Sequence, residues 1–309
     1  MFLIDTDAGI DDAHAIMMAL RHPQHKVIGI TCVQGNTKVD QVCRNVFRLL
    51  KVCKRLDIPV YQGVSTSLVG INAGPSFYHG NDGFGDAPEE EPQDYSALVQ
   101  KEHAVNTIVR LVNGNPGKLT LIGLGPLTNI AMAIRLDPDL GKKLKDCYIM
   151  GGNYQGKGNI TTSAEFNFHS DPEAAHVVLN ELGCPITIAT WELCLQHSLT
   201  WDTYNEIRKP DTHKSNFMLQ IEKKTVTKCL NEKWPTYIPC DEIAMSLACD
   251  NELSQDSQQV YATVELSGTH SRGQMIVDWE QSLKKPTNVT IVTKLKHNEY
   301  LDLLKGSVL

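Results

Sequence analysis

The stretch FLIDTDAGIDDAHAIMMAL, residues 2–20, joins an apolar run to a helical pattern and contains four aspartates. Residues 2–5 are predicted to form a buried strand, because the run is short and apolar. In the helical part, apolar residues recur at spacings of three and four: Ala13, Ile16, Met17 and Leu20. A strand followed at once by a helix is the repeating unit of a parallel α/β sheet.

The same alternation continues along most of the chain. Further strands are predicted at 27–33, 58–63, 119–125, 147–152 and 185–190, and later at 261–266 and 288–295. Helices are predicted at 38–56, 103–113, 128–136 and 171–182, and over much of the chain after residue 200. We therefore expect an α/β fold with a mostly parallel, Rossmann-like sheet flanked by helices on both faces. No linker or repeat divides the sequence, so residues 1–309 are expected to form a single domain.

Composition excludes several classes of function. The net charge of −7 and the lack of a lysine and arginine cluster argue against nucleic acid as a partner. No run of about 18 apolar residues predicts a membrane span, and the N-terminus lacks the pattern of a signal peptide. The nine cysteines are scattered without a CxxC pair, which is typical of reduced thiols in a cytoplasmic protein.

Polar residues follow the ends of several predicted strands. They lie at 5–12 after the first strand, at 34–36 after the second, at 123–129 and at 151–153. The segment 64–102, rich in Gly, Pro, Asn and Asp, is a long loop of the kind that usually carries function. Because ligands of open parallel sheets bind beyond the carboxyl ends of the strands, we expect one binding site at this edge.

The four aspartates Asp5, Asp7, Asp11 and Asp12 indicate a cation at that edge. Two carboxylates about 4 Å apart repel by about 1 kcal/mol in water and by about 4 kcal/mol at an effective dielectric near 20. Acidic residues at a helix N-terminus are favourable, but that explains only one or two of them. A cluster of oxygen ligands suits a hard divalent cation, Ca²⁺ or Mg²⁺.

The segment DTDAGIDDAHA at 5–15 resembles the DxDxGxDDAxA signature of nucleoside hydrolases of the inosine–uridine preferring type. The resemblance continues along nearly the whole chain. Its further segments are GNTKVDQVCRN (35–45), HGNDGFGD (79–86), GLGPLTNIAMA (123–133), MGGNYQGKGNITTSAEFNFHSDPEAAHVV (150–178) and Cys240-Asp241.

The resemblance implies Ca²⁺-dependent hydrolysis of the N-glycosidic bond of ribonucleosides, which gives ribose and a free base. It implies a metal site formed by Asp7, Asp12, the carbonyl of Leu124 and Asp241, with Asp7 also acting as general base. It implies a homodimer or homotetramer. The ribose-binding residues that it implies are Asp11, Asn36, Asn159, Glu165 and Asn167.

Cys240 departs from the family pattern. Many members have a histidine there, which can protonate the leaving base, whereas a thiol is a poor general acid at its reference pKa of about 8.5. Cys240 and His79 are therefore the candidates for leaving-group activation. His79, Trp234 and Tyr237 are the candidates for contact with the base, whose identity stays open. Three further tryptophans are predicted to be packing residues: Trp191, Trp201 and Trp279.

Two alternative functions stay open. Cys240 is compatible with a protein of the same fold that binds ribose or a nucleoside but turns it over slowly. A strand that ends in DxD also begins phosphatases of the haloacid-dehalogenase type, in which Asp5 would be the nucleophile. That pattern requires Thr or Val where this chain has Gly9, and it leaves the Asp11-Asp12 doublet unexplained.

Overall fold

Eight strands form the central sheet in the part of the chain that the structure describes. The structure is a computed structural model, and it describes residues 1–70, 77–89 and 92–309. All strands within the described residues, in the central sheet and in two smaller ones, are β1 (Phe2–Thr6), β2 (Val27–Cys32), β3 (Val60–Gln62), β4 (Thr120–Gly123), β5 (Asp146–Met150), β6 (Ile186–Ala189), β7 (Leu199–Thr200), β8 (Thr236–Tyr237), β9 (Ser254–Val260), β10 (Ala262–Val264), β11 (Met275–Val277) and β12 (Val289–Leu295). The central sheet has the order β3-β2-β1-β4-β5-β6-β12-β9. All its neighbours are parallel except β12 and β9.

Helices connect the parallel strands and cover both faces of the sheet. Within the described residues they are α1 (Ile10–Arg21), α2 (Val39–Val52), α3 (Ala104–Gly114), α4 (Thr128–Leu136), α5 (Leu140–Lys143), α6 (Phe166–Ser170), α7 (Pro172–Glu181), α8 (Trp191–Gln196), α9 (Trp201–Arg208), α10 (His213–Asn231), α11 (Asp241–Cys249) and α12 (His297–Ser307). Among these described elements, no helix combines the length and the apolar character needed to cross a membrane.

Successive residues of β1 face opposite sides of the sheet, as the pleat requires. Phe2 and Ile4 pack in one buried cluster with apolar residues of α1, α2 and α11. Leu3 packs in a second cluster with residues of α3, α4 and α7. The structure thus confirms the predicted α/β domain with a mostly parallel sheet between two helical layers.

Helix α2 is shorter than predicted. It ends at Val52 and not at residue 56, and Leu56 is 44% exposed. Lys54 adopts a left-handed conformation with φ of 55°. The N–H of Arg55 then donates to the carbonyl of Leu50 at 2.8 Å, the bonding pattern that closes a helix. The apolar spacing continues past this turn, so the sequence pattern alone overestimates the length of the helix.

The last strands also differ from the prediction. Both predicted stretches form strands, but only β12 joins the central sheet, whereas residues 262–264 pair with β11 in a separate two-stranded sheet. Strand β9 was not predicted, because its residues are mostly polar and exposed. It forms an edge of the sheet, where only one side of the ladder is paired, so it needs no apolar alternation.

The order of the strands places the predicted site residues together. Strand β1 lies between β2 and β4, and Ile4 is in register with Ile30 and Ile122. Backbone bonds continue beyond the strand ends, from the N–H of Leu124 to the carbonyl of Asp5 at 2.9 Å. The loops after these three strands therefore meet at one edge of the sheet.

Candidate active site

A cavity of about 230 Å³ lies beyond the carboxyl ends of the central strands. Its lining includes most of the residues that the sequence assigned to a site, among them Asp11, His79, Trp234, Cys240 and Asp241. Asp7 and Asp12 lie directly beneath it, both fully buried. The cavity is therefore where the chemistry of the molecule is to be sought.

The loop between β1 and α1 folds around Asp12. One carboxylate oxygen of Asp12 accepts the N–H of Gly9 at 2.7 Å, and the other accepts the hydroxyl of Thr6. The N–H of Ala8, at φ 36°, donates to the hydroxyl of Thr6 at 3.0 Å. A β-carbon at Gly9 would lie 2.6 Å from the ring of His79, so glycine is required for this close approach.

Three carboxylates meet at the N-terminal ends of α1 and α11. Asp11, Asp12 and Asp241 each have an oxygen within 4.8 Å of the others. Asp7 lies beside them, where its Oδ2 accepts the N–H of Asn36 at 2.7 Å. Among the described residues, the other oxygen of Asp7 is buried without a hydrogen-bond partner.

Burial and mutual repulsion disfavour the ionised forms of the carboxylates in this cluster. Burial, followed by the charge of Asp12, raises the pKa of Asp7 well above its ordinary value. Burial and the charge of Asp11 raise the pKa of Asp12 to about 7. Burial and the charge of Asp12 likewise raise the pKa of Asp241. Buried carboxylates with oxygen atoms free to coordinate fit a hard divalent cation.

Of the predicted metal ligands, Asp12 and Asp241 lie in one carboxylate cluster, and Asp11 joins them. Asp11, which the sequence assigned to ribose, belongs to the same carboxylate cluster as Asp12 and Asp241. The carbonyl of Leu124 lines the cavity and accepts the side-chain amide of Asn167 at 2.8 Å.

The predicted ribose residues also line the cavity. Glu165, 1% exposed, caps α6 and accepts the N–H groups of Gly152 at 2.8 Å and Asn167 at 2.9 Å. Burial raises the pKa of Glu165 to about 7 despite these bonds. The side-chain oxygen of Asn36 is buried without a hydrogen-bond partner among the described residues, which leaves it free for a ligand hydroxyl. Asn159 lies at the exposed rim.

His79 is held in one orientation. Its Nδ1 accepts the N–H of Ile10 at 3.1 Å and lies 3.7 Å from the carboxylate of Asp11. Burial lowers the pKa of His79. The ring is therefore neutral in this setting, with its proton on Nε2.

The side of the cavity away from the carboxylates is largely aromatic. The rings of Tyr78 and Trp234 stack with centroids 6.3 Å apart. Phe166 and Trp191 also line the cavity, with the aliphatic side chain of Ile238. This surface has the flat, apolar shape that suits a nucleobase.

One prediction for this side is wrong, and another is incomplete. Tyr237 does not line the cavity; it is 2% exposed, and its hydroxyl donates to Glu222 at 3.1 Å behind the site. Trp191 packs against the core, as predicted, but it also lines the cavity. Trp191 follows β6 directly, so its place after a strand was the signal that could have identified it. Tyr78, Phe166 and Ile238 were missed, because only the folded chain brings them to the cavity.

Cys240 lines the cavity next to Asp241. Its N–H donates to the carboxylate of Glu242 at 3.0 Å, and its Sγ lies 4.0 Å from the carbonyl of Ile238. A hydrogen bond with Cys194, together with burial, raises the pKa of the Cys240 thiol well above its ordinary value.

A second buried charged group lies behind Asp241. Arg208 donates to both oxygens of Glu222, at 2.8 and 2.6 Å, and the hydroxyl of Tyr204 donates to the same carboxylate at 2.8 Å. His14 lies 3.3 Å from both Arg208 and Glu242. This group connects α1, α9, α10 and α11.

Comparison with known proteins identifies the family. A sequence profile described as "Inosine-uridine preferring nucleoside hydrolase" matches residues 2–302. The chain belongs to this family. This nucleoside hydrolase is 32% identical over 300 residues to the inosine–uridine preferring nucleoside hydrolase of Leishmania major. The aligned region covers 96% of this chain and 94% of that protein. It is also 32% identical over 308 residues to a pyrimidine-specific ribonucleoside hydrolase of Escherichia coli O157:H7, covering 99% and 96% of the two chains.

Solved structures agree with the sequence comparison. An inosine–guanosine nucleoside hydrolase superposes with a TM-score of 0.93 at 35% identity, covering 99% of this chain and 98% of that chain. A purine-preferring ribonucleoside hydrolase from Gardnerella vaginalis has a TM-score of 0.90 at 25% identity, covering 99% and 97%. The protein is thus an enzyme that hydrolyses N-glycosyl bonds of ribonucleosides.

Family membership also decides against the phosphatase alternative. Asp5 is fully buried, and its Oδ1 accepts Thr31 at 2.6 Å and Asn129 at 2.8 Å. Burial raises the pKa of Asp5 to about 7. A carboxylate held in this way beneath the sheet edge supports the loop and cannot reach a substrate in the cavity.

Proposed function

We propose that the enzyme requires Ca²⁺ and releases ribose and a free base from ribonucleosides. The observation that carries the proposal is the buried group of aspartates directly beneath a cavity with polar residues on one side and aromatic residues on the other. The polar side suits the sugar and the aromatic side suits the base.

The residues present fit a calcium ion. Asp7, Asp12, Asp241 and the carbonyl of Leu124 would hold it, and oxygen ligands of this kind suit Ca²⁺. Support comes from the buried, unpartnered oxygen of Asp7 and from the raised pKa values, which mark carboxylates without a balancing charge. Bound there, Ca²⁺ would supply Lewis acidity that lowers the pKa of the attacking water.

Asp7 is the proposed general base. Its Oδ2 accepts the N–H of Asn36, which fixes the carboxylate, and a carboxylate held beside the attacking water can accept its proton. Attack at the anomeric carbon breaks the bond to the base through an oxocarbenium-like state, as in glycoside hydrolysis.

Ribose is the proposed ligand of the polar side. The free oxygen of Asn36 and the carboxylates of Asp11 and Glu165 can accept sugar hydroxyls, and Asn159 and Asn167 add amide groups. A site built from such groups rejects a sugar that lacks a hydroxyl, because buried polar atoms would then lose their partners.

A panel of nucleosides tests this proposal and its main alternative. We expect ribose release from inosine or uridine with Ca²⁺ and none above background with a chelator. The matched control is the 2′-deoxy form of each substrate, whose kcat/KM should be lower by about 10⁴-fold. Binding of the nucleoside without ribose release in either condition would favour the slow-turnover alternative, which Cys240 motivates.

The compartment and assembly are also proposals. All nine cysteines, each within the described residues, are free thiols, which supports a cytoplasmic location. A homodimer or homotetramer is proposed from the family resemblance alone. Sedimentation of the purified enzyme would test the assembly, because a monomer would contradict it.

A further inference from the structure

The aromatic side of the cavity offers a leaving base few groups that could give it a proton. Its surface is formed largely by Tyr78, Phe166, Trp191, Trp234 and Ile238. The indole N–H of Trp234 donates to Glu232 at 3.0 Å, and an indole is no acid at neutral pH. This inference rests on the proposed function and asks which leaving bases such a surface permits.

His79 cannot deliver a proton from its observed position. Its Nδ1 accepts the N–H of Ile10 at 3.1 Å, so a second proton on Nδ1 would face that donor. The ring therefore stays neutral, and loss of its remaining proton would leave an imidazolate.

The other candidates are equally unsuited as acids. The thiol of Cys240 points toward the carbonyl of Ile238 at 4.0 Å. Burial raises the pKa of the Tyr78 phenol well above its ordinary value. Glu165 belongs to the polar side of the cavity, where both of its oxygens are occupied by backbone N–H groups, from Gly152 and Asn167. Residues 71–76, outside the described ranges, have the sequence INAGPS and contain no acidic side chain.

The lack of a proton donor on this surface determines which bases can leave readily. When the C–N bond of a neutral nucleoside breaks, its electron pair leaves an anionic base unless a proton arrives. When the base is already cationic, the same electron pair neutralises it, and water adds its oxygen to the sugar and gives one proton to Asp7. The second reaction needs no general acid, a contribution that is typically worth 10²–10⁴-fold in rate.

We propose that this enzyme preferentially hydrolyses N-ribosides whose base carries a positive charge, such as pyridinium ribosides and N7-alkylated purine ribosides. The aromatic surface favours the same class, because a cation over an aromatic face is attracted by about 0.5–2 kcal/mol. The stacked pair of Tyr78 and Trp234 provides such faces at the cavity.

A matched pair of substrates tests the proposal on the unmodified enzyme. Guanosine and 7-methylguanosine differ by one methyl group and one charge, and nicotinamide riboside is the pyridinium probe. With Ca²⁺ at neutral pH and with spontaneous hydrolysis subtracted, we expect kcat/KM for 7-methylguanosine to exceed that for guanosine by at least about 10²-fold. A smaller ratio would overturn the proposal.

Substitution of Cys240 sharpens the test. Cys240→His should supply an acid and lower the ratio at least tenfold by raising kcat/KM for guanosine, whereas Cys240→Ser should keep the ratio above about 10². An unchanged ratio in a folded Cys240→His enzyme would contradict the role given to the missing acid. If none of the three ribosides releases ribose, the proposed function itself fails.

Discussion

Two groups of buried carboxylates lie close together in this enzyme, and they are balanced in opposite ways. Glu222 is fully buried but accepts hydrogen bonds from Arg208, Tyr204 and Tyr237. Asp7 is equally buried, and among the described residues its Oδ1 has no partner. One group contains a basic side chain, Arg208, whereas the other is a cluster of carboxylates.

The pKa values follow the same division. Burial lowers the pKa of Arg208, but the charge and hydrogen bonds of Glu222 outweigh burial and keep the pKa above its ordinary value. In the acidic cluster, burial and mutual repulsion raise the pKa values of Asp7, Asp12 and Asp241. In the first group the guanidinium of Arg208 pairs with the carboxylate of Glu222, and this pair serves structure. The second is the carboxylate cluster that we propose holds Ca²⁺.

The largest expected effect comes from Asp7→Asn. This change keeps the shape of the side chain but removes the proposed base and a ligand charge. We expect kcat/KM for inosine to fall by at least about 10³-fold, since a general base alone contributes 10²–10⁴-fold.

Asp40→Asn is the matched control for that variant. Asp40 is exposed in the first turn of α2, so the same substitution there should leave kcat/KM within about twofold. Near-normal activity of Asp7→Asn, measured beside this control, would show that another group takes the proton.

Breaking the balanced group should cost stability. Glu222→Leu leaves the guanidinium of Arg208 buried without its carboxylate, and we expect a loss of about 3–5 kcal/mol in the free energy of unfolding. Denaturation with urea measures this loss. The double variant Arg208→Met/Glu222→Leu should recover most of it, because the unpaired guanidinium is then also removed. A double variant no more stable than Glu222→Leu would mean that the ion pair is not the cause.

Stability of the metal-free enzyme should depend on pH through the acidic cluster. The folded-state pKa of Asp12 is about 7, above the ordinary value of 3.8. Its protonated form therefore favours the folded state below about pH 4, and this contribution is lost as the pH rises through 7.

Thermal unfolding with and without Ca²⁺ measures that dependence. We expect the chelated enzyme to be less stable at pH 8 than at pH 5. Ca²⁺ at 100 times its Kd should restore about 2.7 kcal/mol at pH 8. A metal-free enzyme more stable at pH 8 than at pH 5 would rule out uncompensated charge in the cluster.

The smallest effect is expected at Tyr237, which belongs to the balanced group and not to the cavity. Tyr237→Phe removes one hydrogen bond to Glu222 and should cost about 1–2 kcal/mol of stability. The ratio of kcat/KM for inosine to that for uridine should stay within about twofold. A larger change in that ratio would place Tyr237 near the base after all.

The sequence predicts the sheet and the acidic loop well, because both depend on local patterns. Apolar strands, helical spacing and the clustered aspartates are visible in the chain itself. The residues on the base side are different. Tyr237 and Ile238 are neighbours at a short strand, where successive side chains point to opposite faces, and only Ile238 faces the cavity. Two neighbouring residues therefore have different places, one lining the cavity and one buried behind it. The sequence pattern does not determine which of the two faces the cavity.

The most direct test of the unbalanced cluster is the binding of Ca²⁺ to the metal-free enzyme. Calorimetric titration should give one Ca²⁺ per chain, and ribose release from inosine should rise with the same dependence on Ca²⁺ concentration. Asp12→Asn should weaken both together. Full activity in the chelated enzyme, or Ca²⁺ binding that Asp12→Asn leaves unchanged, would contradict the account.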